Sequence, residues 1–157
     1  MSEKPILFND EMVRAILDGR KTQTRRIAKT ALPPYSIGDI LYVRETWLQL
    51  PSGEYEYRTD YRKRGFWYLA RKWHPSIHMP KAAARIFLRV LDIGKQPVWH
   101  ITELDAKAEG VVKSTDYYGA TYMDAFEKMW IGLYGDRSWK NDWVWVIKFE
   151  RVEKQNV

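Results

Sequence analysis

Gly19-Arg20-Lys21-Thr22-Gln23-Thr24-Arg25-Arg26 holds one glycine, four cations and two threonines in eight residues. It carries too much charge for a core and too many small hydroxyls for a plain solvated helix. Upstream of it, Met12, Val13, Ile16 and Leu17 fall on one face at helical spacing. Asn9 or Asp10 is placed to cap that helix, because a short side-chain oxygen accepts from an orphan amide of the first turn. Gly19 then stands where a helix commonly ends in a left-handed residue. The octapeptide therefore begins as the helix ends, with its cations near the negative end of the helix dipole. Before the helix, Pro5-Ile6-Leu7-Phe8 reads as a strand.

Downstream, Leu32-Pro33-Pro34-Tyr35 breaks any helix, and Gly38-Asp39 introduces the apolar strand Ile40-Leu41-Tyr42-Val43-Arg44. Tyr55, Tyr57 and Thr59 alternate with charged residues as a half-exposed strand does. Residues 60–75 interleave Arg62, Lys63, Arg64, Arg71 and Lys72 with aromatic rings and read as a hairpin or long loop leaving the scaffold. Two prolines stiffen Pro75-Ser76-Ile77-His78-Met79-Pro80. A strand follows over Arg85–Ile93. Thr102, with Asp105 three residues on, predicts a short helix from about Glu103 to Glu109, ended by Gly110. A second helix is predicted around Tyr122–Trp130, then a turn at Gly132, Gly135 and Asp136. Alternation of Trp143, Trp145, Ile147 and Phe149 predicts a closing strand. There is no repeat, linker or βαβ rhythm. The pattern predicts one α+β domain over 1–157, a small, mostly antiparallel β-barrel with helices capping its openings.

Composition narrows the function classes. The 157 residues suffice for one core. Formal net charge is +6, which favours an anionic partner. With no cysteine, disulfides and cysteine-based zinc sites are excluded, and a reducing, cytoplasmic setting is expected. The start lacks a signal-peptide core, and no apolar run approaches the roughly 18 residues that span a bilayer, so no membrane partner is expected. His74, His78 and His100 lack metal-ligand spacing, so neither a metal nor another cofactor is expected.

The octapeptide reads either as a solvated basic helix end or as an anion pocket with an activated hydroxyl. Lys21 and Thr24, three apart, meet on a helical turn or tight loop and separate in a flat strand. A threonine hydroxyl needs a base to attack. Lys21 serves if burial or Arg20, Arg25 and Arg26 lower its pKa; otherwise it stabilises an oxyanion. The partner carboxylate is Glu45 or Glu109. Glu109 is the odder, since a carboxylate at a helix C-terminus is disfavoured unless a cation meets it. The segment 60–75 has the composition of a surface that stacks bases and contacts phosphates, or equally of a packed aromatic strand flanked by solvated cations.

These residues resemble the ASCH domains of the PUA-like superfamily. The resemblance begins in Gly19-x-Lys21-x-x-Thr24-x-Arg26 and runs through Gly38-Asp39-Ile40-Leu41-Tyr42-Val43-Arg44 and Ile101–Gly110 to Trp143-Val144-Trp145-Val146-Ile147. Val43-Arg44-Glu45-Thr46-Trp47 and the Pro75–Pro80 block resemble the larger phage- and prophage-associated branch. The resemblance implies a five- to six-stranded barrel and a cleft lined by the signature. It also implies RNA binding or nucleotide modification, and in one small branch hydrolysis of the N4-acetylcytidine amide. By position, the catalytic set of that branch falls on Lys21, Thr24 and Glu109. Relative to those small hydrolases this chain carries added length around 50–85 and 111–140.

The expectation is an amidohydrolase acting on an acylated nucleoside, with nucleoside or RNA as partner. Whether Lys21 or Glu109 is the base stays open. Arg26, Arg44 and Glu45 are expected to orient or bind, with Trp47 and Trp73 stacking on a base and His78 lining the pocket. The alternatives are a non-catalytic RNA- or nucleotide-binding module and a metal-independent ribonuclease.

Overall fold

Asn9 starts the first helix by accepting the Met12 amide on its side-chain oxygen at 2.9 Å. This helix, α1 (Asp10–Leu17), follows strand β1 (Glu3–Leu7) and precedes β2 (Gln23–Ile27). The structure, a computed structural model, describes residues 3–154. Met1 and Ser2 of the N-terminal stretch read above lie outside the described residues, as do 155–157. Then come β3 (Ile40–Arg44), the short hairpin β4 (Trp47–Gln49) and β5 (Tyr55–Tyr57), α2 (Phe66–Ala70) and β6 (Phe87–Pro97). Helices α3 (Glu103–Ala108), α4 (Tyr122–Tyr134) and α5 (Asp136–Asn141) precede the closing strand β7 (Trp143–Val152).

The main sheet has the order β1-β3-β6-β7-β2. β1 runs parallel to β3, and the other pairings are antiparallel. A bulge at Leu91 shifts the β6–β7 register between Val90 and Asp92. Bulges bend the strand that carries them, so the sheet curves there.

The sheet curves but does not close into the predicted barrel. β1 and β2 remain as its two edges. Their connection explains this: Phe8, Val13 and Ile16 pack into the core beside Leu41, Val43, Leu88 and Ile147. Where a closing ladder would run, a side chain bridges instead, the Arg26 guanidinium donating to the Leu7 carbonyl at 2.8 Å.

A second core lies on the helix side of β7, where Val144 and Val146 meet Ala106 of α3 and Phe126 and Trp130 of α4. Adjacent residues of β7 thus serve opposite faces, Val146 the helices and Ile147 the Phe8 core. A third cluster seats Met79, Ala83, Ala84 and Phe87 beside the β4–β5 hairpin.

Two local expectations need correction. Residues 60–75 form no hairpin; they contain the short helix α2, none of whose residues is buried. The predicted turn at Gly132 is helical, since α4 continues to Tyr134 and a new helix follows. Gly135, at φ 92°, makes the break between them. Ser138 explains the extra helix: its hydroxyl accepts from Trp130 Nε1 at 3.0 Å and donates to Asp142 at 2.6 Å.

Candidate active site

Lys21 reaches its place through a chain of backbone bonds. Gly19 turns the chain at φ 77°, and the amides of Arg20 and Lys21 both donate to the Ala15 carbonyl, at 2.9 and 3.1 Å. The Thr22 amide then donates to Ala108 O at 2.9 Å, while its carbonyl accepts from Phe149 N at 3.0 Å. The segment is therefore pinned between the end of α3 and β7. Lys21 precedes β2, so strand alternation begins after it.

Glu109 comes from the other side. Thr102 caps α3 by accepting the Asp105 amide at 3.2 Å, and Glu109 is the C-terminal cap residue. Its carboxylate is unfavourably placed against the helix dipole, and two cations answer it. Arg25 NH1 donates to Oε2 at 3.1 Å, and Lys21 Nζ stands 3.9 Å from Oε1. Lys21 Nζ also donates to the Glu109 carbonyl at 2.9 Å. Arg25 extends the network to Gln23 Oε1 at 2.6 Å, and its NH2 lies 3.6 Å from Asp105 Oδ2. Two cations thus meet two carboxylates, and the Lys21, Arg25 and Glu109 side chains are each 3% exposed or less.

Burial sets the electrostatics. Desolvation lowers the Lys21 pKa from 10.5 to about 8; Glu109 opposes that shift, and Arg26 and Arg25 reinforce it. Desolvation raises Glu109 above the usual carboxylate range, against the pull of Lys21 and Arg25. Both shifts favour the neutral forms, the condition in which an amine can accept a proton.

Thr24 lies on the opposite face of β2 from Arg25. It stands across from Ile147 of the Phe8 core, whereas Arg25 stands across from Val146 of the helix-side core. Lys21 Nζ approaches the Phe8 ring, 5.5 Å from its centroid, so Lys21 and Thr24 share the inner side. No hydrogen bond joins Thr24 to Lys21 or Glu109 among the described residues.

The remaining residues named from sequence separate into three places. Arg26 and Arg44 line one cleft of about 700 Å³ between the sheet edges, with Tyr35 and Trp145. Glu45 is fully buried elsewhere, held by Arg85 at 2.9 and 3.0 Å, and Arg85 also grips both oxygens of Asp60. Trp47 packs against His74 with centroids 5.0 Å apart and the rings tilted by 38°, Trp73 donates to the Tyr68 carbonyl, and His78 is exposed. None of these three contacts Lys21, Thr24 or Glu109. Among the described residues Arg25 holds Glu109 and Arg85 holds Glu45, and neither carboxylate pairs with Arg26 or Arg44.

Sequence reading passed over Gln23, and named Arg25 as a cation near Lys21 but not as the partner of Glu109. Their spacing of two, once β2 is recognised as a strand, puts both side chains on the face that meets α3. A second cleft, of about 570 Å³, opens between α1, residues 58–68, residues 110–112 and α4. Neither large cleft is lined by Lys21, Thr24 or Glu109. Among the described residues no cluster of His, Asp or Glu could hold a metal, and no helix is long and apolar enough to cross a membrane.

No protein-family model and no curated protein matches the sequence. Solved structures do match. The hypothetical protein PH0355 superposes with a TM-score of 0.52 at 15% identity, over 97% of this chain and 100% of its own. An ASCH domain from Lactobacillus crispatus JV V101 does so with a TM-score of 0.52 at 11% identity, over 98% of this chain and 81% of its own. At such identities the likeness concerns architecture, and the chain has an ASCH-like fold.

Proposed function

We propose that the protein hydrolyses the amide of an acylated nucleoside, of the N4-acetylcytidine type, with Lys21, Thr24 and Glu109 as its catalytic set. The observation that carries this reading is the buried Lys21–Glu109 pair. A lysine lowered to about 8 is about one-tenth neutral near pH 7, enough to act as a base. In the proposed reaction the Thr24 hydroxyl oxygen adds to the acyl carbon as its proton passes to neutral Lys21. Collapse breaks the C–N bond, and the departing amine takes that proton. Water then cleaves the Thr24 ester, releasing the carboxylic acid. Glu109 holds Lys21 in place, and Arg25 fixes Glu109. Substrate must draw Thr24 and Lys21 together, a tightening that catalytic hydrogen bonds often undergo on binding. The reading extends to a single domain of the larger phage-associated type, whose segments around 50–85 and 111–140 build the second cleft.

The test is release of acetate and cytidine from N4-acetylcytidine by purified protein. Thr24→Ala is expected to reduce the rate by about 10³-fold or more. Turnover by that variant at the wild-type rate removes Thr24 from the chemistry.

A second reading, a non-catalytic RNA- or nucleotide-binding module, draws on the arginines of the seam cleft. It predicts affinity that weakens steeply with salt and no acetate release.

A further inference from the structure

The cleft between β1 and β2 contains cations without carboxylates. Arg26 and Arg44 line it together with Lys29, and no Asp or Glu does. Arg44 is half-buried, yet its guanidinium makes no hydrogen bond or ion pair among the described residues; it lies 5.7 Å from the centroid of the Tyr42 ring. Arg26 donates once, to the Leu7 carbonyl. The Nε of each arginine is buried and without a partner among the described residues.

A buried donor left unsatisfied is costly, the more so when charged, so two beside one cleft call for an acceptor from outside the chain. The guanidinium fork matches phosphate oxygens in pairs. The rings of Tyr35 and Trp145 complete the walls, and the volume suits a nucleotide.

We propose that this seam cleft is an anion subsite that takes a phosphate of a nucleotide on Arg26 and Arg44. Its consequence for substrate rests on the hydrolase reading: the preferred acylated substrate is a phosphate ester, not a free nucleoside. The phosphate is either a terminal monophosphate or an internucleotide link, and both present the same oxygens to the arginines.

Calorimetry with cytidine, cytidine 5′-monophosphate, inorganic phosphate and a short oligocytidylate tests the subsite without requiring turnover. The monophosphate is expected to bind about tenfold or more tighter than cytidine at low salt, with inorganic phosphate competing. Arg44→Gln is expected to remove that preference, and Arg44→Lys to retain part of it. Tighter binding of the oligonucleotide assigns the internucleotide phosphate, and weaker or equal binding assigns the terminal one. Equal affinity of wild-type protein for cytidine and its monophosphate overturns the subsite, as does a preference that survives both Arg44→Gln and Arg26→Gln.

Hydrolysis separates the two readings. A monophosphate preference in binding, with neither acetylated cytidine nor its monophosphate cleaved, removes the hydrolase and leaves the subsite. Cleavage of both at equal kcat/KM, with equal binding, keeps the hydrolase and overturns the subsite.

Discussion

Arg25 and Arg26 are neighbours in one strand and meet opposite environments. Arg25 faces α3, where Glu109, Gln23 and Asp105 surround its guanidinium. Arg26 faces the seam, where one backbone carbonyl and the Phe8 ring are its contacts. Pleating separates them, since consecutive residues of a strand point to opposite faces. The two large clefts repeat the contrast. In the cleft over α1, Arg58 pairs with Asp10, Lys63 with Glu11, and Arg14 and Arg20 donate to the carbonyls of Thr59 and Gly110. In the seam cleft no carboxylate meets the cations: Arg26 has one carbonyl, and the Arg44 guanidinium has no hydrogen-bond partner among the described residues. A cation with a partner contributes to the fold, whereas one held half-buried without a partner remains available to a ligand.

The strongest way to break that comparison is to neutralise the two arginines separately. Arg25→Gln leaves buried Glu109 with Lys21 alone at 3.9 Å, and removing one partner of a buried ion pair costs about 3–5 kcal/mol. Arg26→Gln loses one hydrogen bond and a ring contact, so about 1 kcal/mol or less is expected. Urea denaturation of both variants measures the difference. Equal losses would mean that the two faces of β2 do not differ as described.

How much of this was legible in the sequence follows from the range of each interaction. The cap at Asn9, the turn at Gly19 and the Thr102 helix start depend on neighbours within four residues; sequence reading narrows the first to Asn9 or Asp10 and places the other two. The need of Glu109 for a cation was also legible, because the helix dipole disfavours a carboxylate there whatever the tertiary fold. Which cation meets it was not. Arg25 and Arg26 are chemically identical in the sequence, and the pleat of β2 and its register with β7 select Arg25. Glu45 was plausible as a partner for the signature until Arg85, forty residues on, was found to hold it. The open seam was hidden for the same reason: strand edges are decided by pairings across the whole chain. Here Phe8 and α1 pack behind the strands where a barrel would have closed.

Gly110 sharpens the description of the clamped face by testing how closely it is packed. Its φ is +90°, and an added Cβ would lie 2.7 Å from Ala15 Cβ and 2.9 Å from Lys21 Cβ. Left-handed backbone costs a non-glycine residue about 1–2 kcal/mol, and overpacking adds about 1–3. Gly110→Ala is therefore expected to destabilise the fold by about 2–5 kcal/mol and to push Lys21 from Glu109, lowering acetate release. Gly53, at φ +94° but with open space around it, is the control: Gly53→Ala carries the backbone strain alone. Similar losses at both glycines would show that α1, Lys21 and the end of α3 pack less tightly than their distances state.

Lys21 gives the smallest effect and the most direct measure of burial on that face. Its folded pKa of about 8 lies below the 10.5 of the exposed side chain. Between those values the unfolded chain binds a proton that the folded protein does not, so stability rises with pH. Below the window both states hold the proton, and the desolvated ammonium weighs against folding. Above it neither does. The largest slope a single group can give is about 1.4 kcal/mol per pH unit, so wild-type protein should gain about 1–2 kcal/mol between pH 8 and 9.5. Lys21→Met supplies the reference, because it lacks the titrating amine. The quantity to follow is the wild-type value minus the variant value at each pH. A rising difference places the lysine in a dry site beside Glu109, poised to lose its proton. A flat difference would mean that water reaches Lys21 and that its ammonium is no more strained than the paired cations of the cleft over α1.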